Sequence, residues 1–137
     1  MYIIGLNVFH GDSSACLFKD GFLICAAEEE RFTRIKHAAG FPKNAIKFCL
    51  YDAKIDLAQV DFIAVNRNPK LRVFKKLIYA IKNKLRIKNF VNRLKNFKKI
   101  NSLENEFSKH FDISATDIKN KIIHIDHHLA HAASTVF

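Results

Sequence analysis

Residues 124–133 read HIDHHLAHAA, four histidines and one aspartate in ten positions. Two chemistries suit so many imidazoles: a shared cation, or the polar start of a helix. If a helix begins near Asp126, His127 and His131 stand at i and i+4 on one face, about 5–6 Å apart at Cβ, and two imidazoles at that spacing can hold one metal ion. The small apolar residues of LAHAA around His131 favour an inward-facing ring. His128 points elsewhere and suits a substrate contact. Asp126 stands where a helix N-cap belongs and would accept an orphan backbone amide, or it orients an imidazole. A metal needs at least a third ligand, usually a histidine or carboxylate. No nearby residue supplies one, so the pair reads as half of a site.

A second group lies near the N-terminus. GLNVFHGDSSACLF (5–18) is strand, short polar turn, strand. Such a turn can bring backbone amides to a phosphate. Ser13 and Ser14 add hydroxyl donors, His10 is a candidate acid or base, and Asp12 is placed to orient a partner. An ordinary polar hairpin turn has the same composition. EEERFTRIKH (28–37) then supplies Arg31, Arg34, Lys36 and His37, all suited to gripping an anion; its plainer reading is a solvated charged loop.

The elements that must position these residues follow from periodicity. YIIGLNVF (2–9), ACLF (15–18) and FLICAAEEE (22–30) read as three strands of an antiparallel meander. Asp20-Gly21 suits the tight turn between the second and third. Pro42 can open a helix at its first position, and Ala45, Ile46, Cys49 and Leu50 form its apolar face. Asp56 to Gln59 make a short turn, and VDFIAV (60–65) is a fourth strand. Residues 101–120 are helical and mixed in charge, KIIHI (121–125) is the last strand, and DHHLAHAASTVF begins a helix. The fold class is α/β: a mixed sheet beginning with an antiparallel meander, plus a basic helical insertion over residues 67–120.

The chain has 137 residues and a net charge of +10, enough for one domain with a core. No apolar run approaches the roughly 20 residues that span a bilayer, and no signal peptide is legible. Cys16, Cys25 and Cys49 are odd in number with no CxxC, which points to reduced, buried thiols and a cytoplasmic setting. The charge is concentrated: Arg67 to Lys99 hold 13 Lys and Arg and no acid, while the other 10 basic residues face 13 acidic ones. Leu71, Phe74, Leu77, Ile78, Ile81 and Leu85 make one apolar stripe in that segment, and Phe90, Val91, Leu94 and Phe97 repeat it. Either the stripe packs and the lysines are solvated, or the segment binds nucleic acid or an anionic membrane through its cations and phenylalanines.

Taken together, GLNVFHGDSSACLFKDG, AAEEERFTRIKHAAGFP and IDHHLAHAAS resemble the N-terminal part of the carbamoyltransferase family that includes nodulation and antibiotic-tailoring O-carbamoyltransferases. The resemblance covers residues 2–66 and 121–137. It implies a partial actin/Hsp70-like (ASKHA) ATPase fold related to the tRNA threonylcarbamoyladenosine enzymes, with a YrdC-type C-terminal domain beyond this chain. It implies an enzyme that uses carbamoyl phosphate and ATP to make a carbamoyl-adenylate and passes the carbamoyl group to a substrate hydroxyl. It further implies a divalent metal, most often iron, on His127 and His131. His10 becomes the catalytic candidate with Asp12 beside it, and Ser13, Ser14, Arg31, Lys36 and His37 lie near carbamoyl phosphate or nucleotide. Further metal-binding aspartates, nucleotide-binding glycine loops and the second domain are expected outside these 137 residues. Self-association through uncovered sheet edges, or association with that missing half, is therefore expected. A further reading of the same residues is a non-catalytic subunit, a catalytically dead paralogue. The isolated chain is expected to show no carbamoyltransferase turnover; a radiolabelled carbamoyl-transfer assay that gives product from it would refute this.

Overall fold

The computed structural model describes residues 1–9, 11–66 and 103–133, with the side chains of His127 and His131 left aside. The basic stretch 67–100 and its proposed anionic partners lie outside the described residues.

Five strands form one mixed sheet: β1 (Tyr2–Asn7), β2 (Ser14–Lys19), β3 (Phe22–Glu28), β4 (Phe62–Val65) and β5 (Ile122–His124), in the order β3-β2-β1-β4-β5. β1, β2 and β3 pair antiparallel, while β4 and β5 run parallel to β1. The three-stranded meander therefore stands as expected. Its β2–β3 turn places Asp20 and Gly21 at φ 51 and 89, the paired positive values of a type I′ hairpin.

Five α-helices accompany the sheet among the described residues: α1 (Glu30–Thr33), α2 (Lys43–Ala53), α3 (Leu103–His110), α4 (Ala115–Lys121) and α5 (His127–Ala133). α2 starts one residue later than Pro42 suggests. Pro42 is the N-cap, and its ψ of 61 is not helical. All four residues read as its apolar face, Ala45, Ile46, Cys49 and Leu50, are buried. Asp56 to Gln59 form a short 3-10 turn closed by a capping box. The helical stretch 101–120 is broken in two, because Ser114 accepts the Asp117 amide and starts a new helix.

Strand alternation divides the sheet into two unlike faces. Ile4 and Leu6 of β1 with Val8 just beyond it, Ala15 and Leu17 of β2, and Ile63 and Val65 of β4 are buried on one side. There they meet α2, Leu103 and Phe107 of α3, and Ile118 of α4. The described part of the 67–120 segment thus contributes core residues. Phe107 is held edge-on against Phe41, 4.9 Å between ring centroids. The opposite face carries small residues: Gly5, Ser14, Cys16, Ala26 and Ala64. A Cβ on Gly5 would come within 2.7 Å of Cys16 Sγ on the neighbouring strand. Gly5 is there because its cross-strand partner occupies the space.

All three cysteines are free. No described helix is long and apolar enough to cross a membrane. We expect Gly5→Ala to destabilise the domain by about 1–3 kcal/mol through overpacking, and Cys16→Ala in the same background to recover most of it. Chemical denaturation of the two single variants and the double variant measures that coupling.

Candidate functional site

The topology gathers the chemistry-bearing segments at one end of the sheet. β1, β4 and β5 are parallel, so their carboxyl ends, at Asn7, Val65 and His124, lie on the same edge. From that edge emerge the first turn (8–13), Asn66 and the chain leading into α5. The 29–41 loop joins it, because the third strand ends beside the start of the second: Glu28 pairs with Ser14. Open α/β sheets bind ligands outside the carboxyl ends of their strands.

The first turn is a strained, tightly held loop. Phe9 and Asp12 have φ of 55 and 61, the left-handed region that costs an ordinary residue roughly 1–2 kcal/mol. Two carbonyls of the 29–41 loop grip it. Gly40 O accepts from Phe9 N at 2.9 Å, and Ala38 O accepts from Ser13 N at 3.0 Å and Ser13 Oγ at 2.8 Å. Ser13 is 1% exposed. Its hydroxyl proton is committed inside the protein, and its work here is to fasten the turn. Ser14 belongs to β2 and faces the small-residue side. His10 lies outside the described residues.

Asp12 and His37 meet directly. His37 Nδ1–H donates to Asp12 Oδ1 at 2.9 Å, and the His37 backbone N–H donates to Glu30 Oε2 at 3.3 Å. Arg34 and His37 both take positive φ, 59 and 55, so the basic loop doubles back to bring His37 onto the turn. The hydrogen bond to Asp12, its charge and the more distant Glu30 hold the imidazole pKa above the ordinary 6.5. Lys36 is exposed beside it.

Arg31 and Ser14 share an open groove of about 850 Å³ on the small-residue face. Gly5, Cys16, Ala26 and Ala64 lie along it, Asn7, Glu28 and Asn66 supply polar groups, Phe32 adds an aromatic side, and Ala130 of α5 closes one side. Cys16 is a poor nucleophile, since burial pushes its thiol upward. α5 forms as the sequence suggests, with Asp126 Oδ1 accepting the His128 amide at 2.8 Å. His127 and His131 are both residues of this helix, one turn apart. Ala130 lies between them in sequence, so the helix that carries the pair borders the groove. Among the described residues, no group of three or more His, Cys, Asp or Glu is arranged to hold a metal.

One structural residue escapes the sequence reading. Glu29, from the run EEE, is 5% exposed. Its carboxylate accepts from Asn44 N at 3.0 Å, Asn44 Nδ2 at 2.7 Å and Ala45 N at 3.0 Å. It thus satisfies the amides at the start of α2, which Pro42 has no side chain to cap. Strand alternation and a distant proline-led helix were the only signals for it.

The sequence profile of the carbamoyltransferase N-terminus matches residues 2–137. The chain belongs to the carbamoyltransferase family. It is 33% identical over 99% of its length to the uncharacterized protein sll1178 of Synechocystis sp., of which it covers 23%. Over 58 residues it is 45% identical to the nodulation protein NolNO of Sinorhizobium fredii, covering 42% of this chain and 8% of that protein. A 19.2 kDa uncharacterized protein of Rhizobium etli is 41% identical over 58 residues, covering 42% of this chain and 34% of its own length. The chain thus spans less than a quarter of the length of the first two relatives.

In this carbamoyltransferase-family chain the Asp12–His37 bond ties the first turn to the basic loop. Because the folded pKa of His37 is raised, the tie is fully present below the unfolded value of 6.5 and is lost as pH rises through the raised folded value. Histidine NMR should show His37 titrating above 6.5, with Asp12→Asn lowering the midpoint. An unmoved midpoint in that variant would show the pair to be inert.

Proposed function

We propose that the chain is the N-terminal part of an O-carbamoyltransferase of the actin/Hsp70-like (ASKHA) ATPase fold. With the rest of the protein it would use carbamoyl phosphate and ATP to form a carbamoyl-adenylate, and transfer the carbamoyl group to a substrate hydroxyl. The observation that supports this reading most strongly is the convergence at one sheet edge. The strand ends that flank the first turn (Asn7 and Ser14), Arg31 of the basic loop, and Ala130 of the helix bearing His127 and His131 line a single groove. Three stretches far apart in sequence would have no reason to meet there if each were merely polar surface.

The roles follow from chemistry. Arg31 and Lys36 would hold the anionic phosphate, Arg31 through paired donors. Ser14 would add a hydroxyl donor, and Ser13 would fix the turn beside it. His10 would take the proton from the attacking hydroxyl. Asp12 and His37 would close the loop over the turn. His127 and His131 would hold a divalent metal, with iron as the ion proposed for an imidazole pair completed by oxygen ligands. When bound, the metal would supply positive charge against the oxygen charge that develops in acyl transfer. The donor set requires further ligands from outside the described residues. The charge requirement also suits the cationic loop, because preorganised positive groups stabilise a transition state without reorganising.

Elemental analysis tests the metal. We expect His127→Ala and His131→Ala each to lose most of the iron co-purifying with the wild-type chain, with unchanged circular dichroism. Calorimetric titration tests the anion seat: carbamoyl phosphate should bind the wild-type chain, and Arg31→Ala should weaken it by about tenfold or more, since a hydrogen bond to a charged group contributes about 1.5–3 kcal/mol. Metal-free wild-type protein that also ignores carbamoyl phosphate would overturn the reading.

A further inference from the structure

The ends of β1 and β4 are joined by a side-chain relay that the site description leaves without a purpose. Asn66 Nδ2 donates to Asn7 Oδ1 at 3.0 Å. Asn7 Nδ2 in turn donates to Asp12 O at 2.8 Å and to Gly11 O at 3.3 Å. The direction of the relay is fixed by its far end. Gly11 and Asp12 present only carbonyl oxygens to Asn7, so its nitrogen must face them and its oxygen must face away. Asn66 must then offer its own nitrogen to that oxygen. Each of Asn7's two amide hydrogens goes to a different carbonyl.

Placement follows from the ladder. Leu6 pairs with Val65 across the parallel strands, and Asn66 N donates to Leu6 O at 3.3 Å. Asn7 and Asn66 are therefore the next step of the same ladder, on the small-residue face, bordering the groove. The 29–41 loop grips the turn at Phe9 and Ser13. The relay grips the residues between, 11 and 12, from the sheet side. The left-handed Asp12 is thereby held from both directions, with its carboxylate turned to His37.

We infer that Asn7 and Asn66 are positioning residues of this site: through their relay, Asn7 grips the first turn and presents Asp12 to His37. The functional weight of this rests on the reading of that turn as part of the carbamoyl phosphate and nucleotide seat. Its physical content is read separately, at His37.

Among the described residues, the charged groups that act on His37 are Asp12 and Glu30. With ¹³C-labelled histidine, and the resonance assigned through His37→Gln, the titration midpoint of His37 reports whether Asp12 is in place. In Asn7→Ala and Asn7→Leu, which both lack the donors and add no charge, the midpoint should fall toward that of Asp12→Asn. In Asn66→Ala it should fall by less, because Asn7 still touches both carbonyls. A folded Asn7→Ala protein with the wild-type midpoint overturns the inference. Should both Asn7 variants fail to fold, Asn66→Ala decides: a lowered midpoint upholds the relay and an unchanged one overturns it. Carbamoyl phosphate titration of the same samples separates the two layers. Affinity lost in step with the midpoint supports the positioning role. Wild-type protein that binds none sinks the proposed function, while the His37 response still judges the relay.

Discussion

A single buried carboxylate joins the parts of this domain that matter for its site. Glu29 stands where the meander ends and the basic loop begins. Its backbone N–H donates to Ser13 O at 2.9 Å, its carbonyl accepts from Phe32 N and Thr33 N of α1, and its side chain caps α2. Each hydrogen bond to a charged, buried group of this kind contributes about 1.5–3 kcal/mol. The first turn, the basic loop and the principal core helix therefore share one anchor. The strained φ values of Phe9 and Asp12 persist because the structure around them is fixed from several sides.

Much of the framework was legible from periodicity. The meander, the α2 face and the closing strand follow from local patterns of period two or 3.6, and the helix beginning after Asp126 follows from its cap. What was not legible is non-local. Nothing in FLICAAEEE distinguishes Glu29 from Glu28 or Glu30, because its partners lie 15 and 16 residues away. The same holds for Asn7 and Asn66, 59 residues apart, whose contact exists only once β1 and β4 are in register. Ser13 looked like a ligand donor, since a hydroxyl in a turn gives no sign of the carbonyl that will claim it. His37 and Asp12, both singled out as charged groups, gave no hint that they would bind each other.

The site owes its place to strand direction more than to any one residue. Parallel pairing of the first, fourth and fifth strands sends three carboxyl ends to one edge, and the antiparallel meander returns the basic loop to the same edge. The other face of the sheet is closed by α2, α3 and α4.

The groove's floor has a consequence of its own. Gly5 and Ala64 keep it deep by having almost no side chain, and Gly5 is held to that size by the sulfur across from it. Capacity is thus written in the middle of the strands, away from the loops at their tips. Descendants of such a scaffold can widen or fill the cleft, and so admit a bulkier or slimmer guest, without disturbing a single group at the rim.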